Sequence, residues 1–154
     1  MDEYLMGSPI GCLHLKATED ALVELSFLEE NINQKSNPSS GIIDRAIGQL
    51  KQYFEGDRTA FDLPLNPDGT EFQLQVWDLL KEIPFGTTTT YSRLSQKMGN
   101  PKSIRAIGKA NGQNPIPIII PCHRVIGANN NLIGYSGGIE NKRRLLKHEG
   151  ALLL

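Results

Sequence analysis

The chain has 154 residues, 39% hydrophobic and 21% charged, proportions that fit one soluble globular domain or two small ones and exclude wholesale disorder. No run approaches about 18 apolar residues, and the richest stretch, Ile118–Ile120, is broken up by Pro115, Pro117 and Pro121, so no membrane span is expected. The net charge of −1 conceals a split: residues 1–69 carry 12 acids and 5 bases, and residues 70–154 carry 5 acids and 11 bases. From Ile83 onward only Glu140 and Glu149 face ten bases. Such asymmetry fits either a C-terminal half that meets a polyanion or two halves that neutralise each other. The N-terminus, MDEYLMGSPIG, is acidic and lacks the apolar stretch of a secretory signal. Two cysteines, Cys12 and Cys122, make no disulfide framework, and no CxxC or HExxH pattern offers a metal site. Free thiols, no metal and a reducing cytosol are therefore expected.

In chain order, residues 3–28 read as an antiparallel meander: Tyr4–Met6, Cys12–Leu15 and Ala21–Leu28, separated by turns at Gly7–Gly11 and Thr18–Asp20. Residues 29–41 are polar and predict a loop. Ile43, Ala46, Ile47, Leu50 and Phe54 fall on one helical face, with Gly56 where a helix stops. Asp57–Gly69 holds Pro64 and Pro67 without a period and reads as a linker, which puts a boundary between domains 1–68 and 69–154. Thr70 is a plausible N-cap for a second helix with Phe72, Val76, Leu79, Leu80 and Ile83 as its stripe, ended by Pro84-Phe85-Gly86. Helices over Tyr91–Met98 and Ser103–Asn111, joined by Gly99-Asn100-Pro101-Lys102 with the proline at a helix start, make a helix-turn-helix candidate. Asn114–Val125 reads as extended, 127–138 as a Gly- and Asn-rich loop, and Asn141–His148 as a last basic helix. The expected class is α+β: a small antiparallel sheet plus helix, then a mostly helical domain.

Few residues offer chemistry. A thiolate is the reactive form of cysteine, and His123 and Arg124 next to Cys122 are groups that favour it. As a bare doublet this is outweighed by the ordinary reading of an inert cysteine behind Ile118–Ile120. Cys12 and His14 sit in a strand without chemical partners and read as structural. Glu149 closes the last helix, opposing its dipole, and by itself reads as solvated surface. Arg105 and Lys109 share one face of the second short helix, with Lys102 at its start and Ala106, Gly108 and Ala110 around them. Bases contact phosphates and small residues permit close approach, although a helix packed on its own domain would look the same. Gly108 inside a helix costs up to about 1 kcal/mol relative to alanine, so a close contact of some kind is expected.

Together, PFGTTTTYSRLSQKMGNPKSIRAIGKANGQNPIPIIIPCHRVIG, the GYSGG loop and the terminal HEG resemble the O6-alkylguanine-DNA alkyltransferases, also called methylated-DNA–protein-cysteine methyltransferases, from about Thr70 to Gly150. The resemblance implies that Cys122 accepts the alkyl group, that His123 deprotonates it through a water, and that Glu149 orients His123. It implies that Tyr91 donates its hydroxyl proton to the departing base and that Asn114 supports the active-site turn. Arg105 would fill the space left by the extruded base, and Lys102, Ala106, Gly108 and Lys109 would share the DNA face with Tyr91. Tyr135 and Ser136, with Asn114, would line the base pocket.

The implied activity is single-turnover repair: one irreversible alkyl transfer from O6-alkylguanine, with O4-alkylthymine a second candidate substrate. The implied partner is double-stranded DNA entered through the minor groove, with the base flipped out. No cofactor, no metal, no membrane and a monomer are expected. Ala128–Asn131 stand where relatives often carry a glycine, which bears on loop geometry. Two other readings compete: a module that recognises alkylated bases without repairing them, and an unrelated helix-turn-helix regulator or cysteine hydrolase.

Overall fold

Alternation of apolar residues sets the first layer. In the computed structural model, which describes residues 1–28, 41–128, 132, 135 and 137–151, β1 (Asp2–Ser8), β2 (Gly11–Ala17) and β3 (Leu22–Leu28) form an antiparallel sheet in that order. Met6 pairs with Leu13 and Leu13 with Phe27, so one face gathers Met6, Leu13, Leu15 and Leu25 into the core. The other face is polar: Glu3 bridges His14 at 3.5 Å and Lys16 at 3.6 Å, giving His14 an acidic partner from the neighbouring strand that its own strand does not supply. The expected loop at 29–41 lies outside the described residues except for Gly41.

Helix α1 (Gly41–Phe54) covers the sheet with Ile42, Ile43, Ala46, Leu50 and Tyr53. Tyr53, not Phe54, faces inward, and Ile47 is only half-buried, because the stripe is turned toward Ile42. Gly56, at φ 85°, ends the helix in a left-handed turn with Asp57 N–H donating to the Gln52 carbonyl at 2.8 Å. The segment expected to be a linker is instead tied to this unit. Gln49 exchanges two bonds with the Asp62 backbone at 2.7 and 2.8 Å, and Leu22 pairs with Leu65 in an isolated parallel bridge. Its prolines bar a regular strand, but their carbonyls still accept, and Leu22 N–H donates to Pro64 O at 3.0 Å. Met1–Asp68 forms one compact unit and Gly69–Leu154 a second.

The second unit begins with α2 (Glu71–Leu80). Thr70 caps it through a full capping box, Gln73 N–H to Thr70 Oγ1 at 3.1 Å and Thr70 N–H to Gln73 Oε1 at 2.9 Å. The helix stops before Pro84, because Glu82 and Ile83 make the shorter bonds of a tightening turn to Leu79 and Leu80. Trp77, 1% exposed, donates its indole N–H to Ala110 O at 2.9 Å and so fixes α2 to α4 (Ile104–Gly112). Before α4 come β4 (Thr89–Thr90) and α3 (Tyr91–Lys97), with Thr90 Oγ1 accepting from Arg93 N–H at 3.2 Å. Gly99, at φ 75°, ends α3 in the left-handed region. Pro101 lies in the turn rather than at a helix start, and Ser103 takes the N-cap position without a side-chain cap bond. Its hydroxyl donates instead to Asn100 O at 2.6 Å. β5 (Val125–Ile126) pairs in parallel with β4, and α5 (Ile139–His148) closes the unit.

Candidate active site and helix-turn-helix face

Asn114–Val125, expected to be extended, is a chain of tight turns. Prolines at 115, 117 and 121 remove the donors a strand needs, and the backbone closes on itself instead. Ile120 N–H donates to Ile116 O at 2.9 Å, which leaves Ile118 in the left-handed region at φ 73°. A β-branched residue there is strained, at a cost of about 1–3 kcal/mol. Pro121, at φ −81° and ψ 64°, centres an inverse γ-turn in which Cys122 N–H donates to Ile120 O at 2.8 Å. Asn114 clamps the whole turn. Its Nδ2 donates to Ile120 O at 2.7 Å, its Oδ1 accepts from Ile116 N–H at 3.0 Å, and the same side chain favours the thiolate of Cys122.

A single 3-10 turn, Cys122–Arg124, then presents three buried side chains in succession. His123, with no solvent exposure, meets Glu149 through Nε2 and Oε2 at 2.7 Å. A carboxylate only accepts, so Nε2 carries the proton and Nδ1 keeps its lone pair. Among the described residues Nδ1 has no hydrogen-bond partner. Arg124 grips the same carboxylate twice, Nε to Oε1 at 2.8 Å and a terminal nitrogen to Oε2 at 3.0 Å. Its other terminal nitrogen donates to Ile83 O at 2.7 Å, and its guanidinium lies 5.8 Å from the Phe85 ring centroid. Glu149, read from sequence as solvated surface, is 5% exposed; it is the hub of a buried triad. Arg124 therefore serves the carboxylate rather than the thiol.

Burial dominates the electrostatics. It pushes the Cys122 thiol up to about 11, opposed in part by Asn114 and by the charge of Lys142. It lowers His123, against which Glu149 pulls upward. It brings Lys142, whose side chain has no solvent exposure, down to about 8. A resting Cys122 is thus a thiol, and a base must take its proton before it attacks. Sequence reasoning passed over Lys142, yet Lys142, Leu145, Leu146 and Glu149 keep the spacing of one inward helical face, a signal legible in advance.

The β4–β5 ladder sets Thr90 beside Ile126 and so delivers Tyr91 to the Cys122 turn. Burial raises the Tyr91 hydroxyl above its ordinary value, and the Asn111 side chain pulls it the other way. On α4, Ile107, Ala110 and Asn111 face inward, while Arg105, Ala106 and Lys109 are exposed, as is Lys102 in the turn before the helix. A Cβ on Gly108 would lie 3.9 Å from two Tyr91 ring atoms, ordinary contact without overlap. Tyr135 is buried, its carbonyl accepting from Gly138 N–H at 3.1 Å. Ser136 lies outside the described residues. The structure thus brings together Cys122, His123, Glu149, Asn114 and Tyr91, and separately gathers the bases of α4 on one outer face. Among the described residues no group of three or more His, Cys, Asp or Glu could hold a metal ion, and no helix is long and apolar enough to cross a membrane.

The fold and the site define a class: a protein whose buried cysteine, backed by an imidazole–carboxylate–guanidinium triad, is packed against the second helix of a helix-turn-helix. Comparisons with known proteins narrow it. The family model for the "6-O-methylguanine DNA methyltransferase, DNA binding domain" matches residues 71–151, and that for the family's "ribonuclease-like domain" matches residues 2–67. The chain is 46% identical over 149 residues to a methylated-DNA–protein-cysteine methyltransferase of Methanosarcina acetivorans, covering 94% of this chain and 95% of that one. It is 46% identical over 145 residues to a protein of the same name from Mycobacterium tuberculosis, covering 92% and 88%. A crystal structure of the Mycobacterium tuberculosis O6-methylguanine methyltransferase superposes with a TM-score of 0.86 at 43% identity, covering 97% of this chain and 92% of that one. A structure of the Mycobacterium tuberculosis OGT in complex with DNA gives 0.85 at 45%, covering 96% and 91%. The chain belongs to the 6-O-methylguanine DNA methyltransferase family, with the α+β architecture of its solved members.

Proposed function

We propose that this protein repairs DNA by moving the alkyl group of an O6-alkylguanine onto Cys122, once per molecule. The observation that carries the reading is the His123–Glu149 contact of 2.7 Å behind a buried thiol. The thiol proton passes to Nδ1 of His123, directly or through one water, while Glu149 and Arg124 hold the ring in the tautomer that accepts it. The sulfur attacks the alkyl carbon, a carbon–sulfur bond forms, and the carbon–oxygen bond breaks with its electrons returning to guanine. Tyr91 gives its hydroxyl proton to the departing guanine, which leaves neutral rather than as an anion. The thioether is stable, so no step regenerates the thiol.

The same reading gives each unit its part. Residues 1–68 are the small sheet-plus-helix domain and residues 69–154 the alkyltransferase and DNA-binding domain. DNA is the partner, met through the minor groove by Lys102, Arg105, Ala106, Gly108 and Lys109, with Arg105 occupying the space the flipped base vacates. Tyr135 and Ser136 complete the base pocket, and the protein works as a monomer in the cytosol.

Mass spectrometry after mixing with a duplex containing O6-methylguanine tests the chemistry. The expected result is one added methyl group, confined to the Cys122 peptide, with Cys122→Ala binding the lesion but forming no adduct. Tight lesion binding without an adduct on the unaltered protein would replace this reading with lesion recognition alone.

A further inference from the structure

Asn111 has no part in the chemistry described so far, yet it touches both ends of it. It is 1% exposed, in the last turn of α4, and its Nδ2 donates to the Cys122 carbonyl at 3.3 Å. That carbonyl can only accept, so the orientation of the amide is determined: nitrogen toward Cys122, oxygen away. The Tyr91 ring packs on the same face of α4 one turn earlier, 3.9 Å from where a Cβ on Gly108 would stand, and the Asn111 side chain is the neighbour that favours its ionised form. The Asn111 Oδ1 has no hydrogen-bond partner among the described residues, so the side chain is not held by that atom. An asparagine buried to this degree with its oxygen unsatisfied carries a cost, and its donation to the Cys122 carbonyl offsets part of that cost.

We infer that Asn111 is a positioning residue for alkyl transfer, using one amide group to hold the Tyr91 hydroxyl in register with the peptide that carries the nucleophile. The inference rests on the reading of Tyr91 as the proton donor. When Tyr91 releases its proton, negative charge develops on its oxygen, and a donor already aimed there stabilises that charge without reorganisation. An apolar side chain of the same size would fill the space and leave the phenolate without that donor. Burial of Tyr91 opposes its ionisation, and the Asn111 amide is the side-chain contact that works the other way.

A double-mutant cycle with an independent spectroscopic readout tests this. Asn111→Leu, Tyr91→Phe and the double variant are compared in single-turnover transfer from an O6-methylguanine duplex. Asn111→Leu should slow transfer about tenfold, the effect of a hydrogen bond to a developing charge. In the Tyr91→Phe background it should cost roughly twofold or less, because the group it serves is gone. Equal slowing in both backgrounds would overturn the inference. Separately, with tyrosines labelled at Cζ, the NMR titration of Tyr91 should move upward in Asn111→Leu. An unmoved Tyr91 titration would also overturn it. A moved titration together with a Tyr91→Phe variant of full activity would keep the contact and remove the donor reading beneath it. Asn111→Ser serves as a second variant if the leucine fails to fold.

Discussion

Replacing Glu149 by glutamine changes one atom and removes one charge at the centre of the triad. The carboxylate accepts from His123 at 2.7 Å and from Arg124 at 2.8 and 3.0 Å, so both oxygens are used and each of these partners is a donor. A glutamine offers one oxygen and one NH2. If its oxygen takes the Oε2 place, the NH2 abuts the Arg124 Nε–H; if it takes the Oε1 place, the NH2 meets His123 Nε2 and the Arg124 terminal nitrogen. Donor faces donor either way; a shift of the His123 proton to Nδ1 would relieve its own contact in the second orientation but not the one with Arg124. That shift leaves the nitrogen available to the thiol unable to accept a proton. Arg124, 5% exposed, then has no carboxylate for its charge and keeps the Ile83 carbonyl, the face of Phe85 and the single glutamine oxygen. Leaving one partner of a buried pair uncompensated costs about 3–5 kcal/mol, which for a protein of this size lowers Tm by roughly 6–20 °C. Calorimetry reads the first effect. Single-turnover transfer reads the second, with a loss of about 10²–10⁴ expected for a disabled base. The double variant Arg124→Met/Glu149→Leu, with no orphaned charge on the arginine side, should melt above Glu149→Gln while remaining inactive. A Glu149→Gln protein that melts within a degree or two of the parent and transfers at its rate would refute the account.

Lys142 is a cation held without solvent exposure at about 8 instead of 10.5, so Lys142→Met should raise stability at pH 7 by up to on the order of 3 kcal/mol. The same change deprives Cys122 of a favourable charge, so transfer should slow; an unchanged Tm would refute the burial argument. His123 lies below its ordinary 6.5 in the folded state, so it stabilises the fold above pH 6.5. That contribution is lost as pH falls below 6.5 through the lower folded value, because only the unfolded chain takes up the proton there. Urea denaturation at pH 7.5 and 5.5 should show lower stability at 5.5, with the difference reduced in His123→Gln. A Cβ on Gly69 would stand 2.5 Å from two Trp77 ring atoms and 2.9 Å from Gln73 Oε1, so Gly69→Ala should cost about 1–3 kcal/mol in denaturant unfolding. Gly108→Ala meets only the Tyr91 ring at 3.9 Å and should stabilise α4 by up to about 1 kcal/mol. If DNA affinity nevertheless falls, the small residue serves docking; a clear loss of stability would contradict the packing described.

Local signals carried much of the architecture. Period-two alternation located β1–β3, Thr70 as N-cap located the start of α2, and helical spacing located α1, α3, α4 and α5 to within a residue or two. These succeed because capping, turn chemistry and amphipathic spacing act over a few residues. Local signals failed where the partner is distant in sequence. The segment around Asp62 looked like a linker because its hold on Gln49 and Leu22 is invisible to spacing. The turns of 114–125 looked extended because prolines exclude regular structure without saying how the chain closes. The site divides in the same way. A nucleophile at Cys122 was outweighed on the residues alone and came forward only through the resemblance of its surroundings. What makes Glu149 a buried hub, Arg124 its clamp and Asn111 the link between Tyr91 and Cys122 is decided by α5 folding onto the Cys122 turn and by the β4–β5 ladder. By itself the sequence determined β1–β3, the five helices and the order of the reactive groups. Which groups touch was decided by tertiary packing, because desolvation and pairing depend on neighbours from distant parts of the chain.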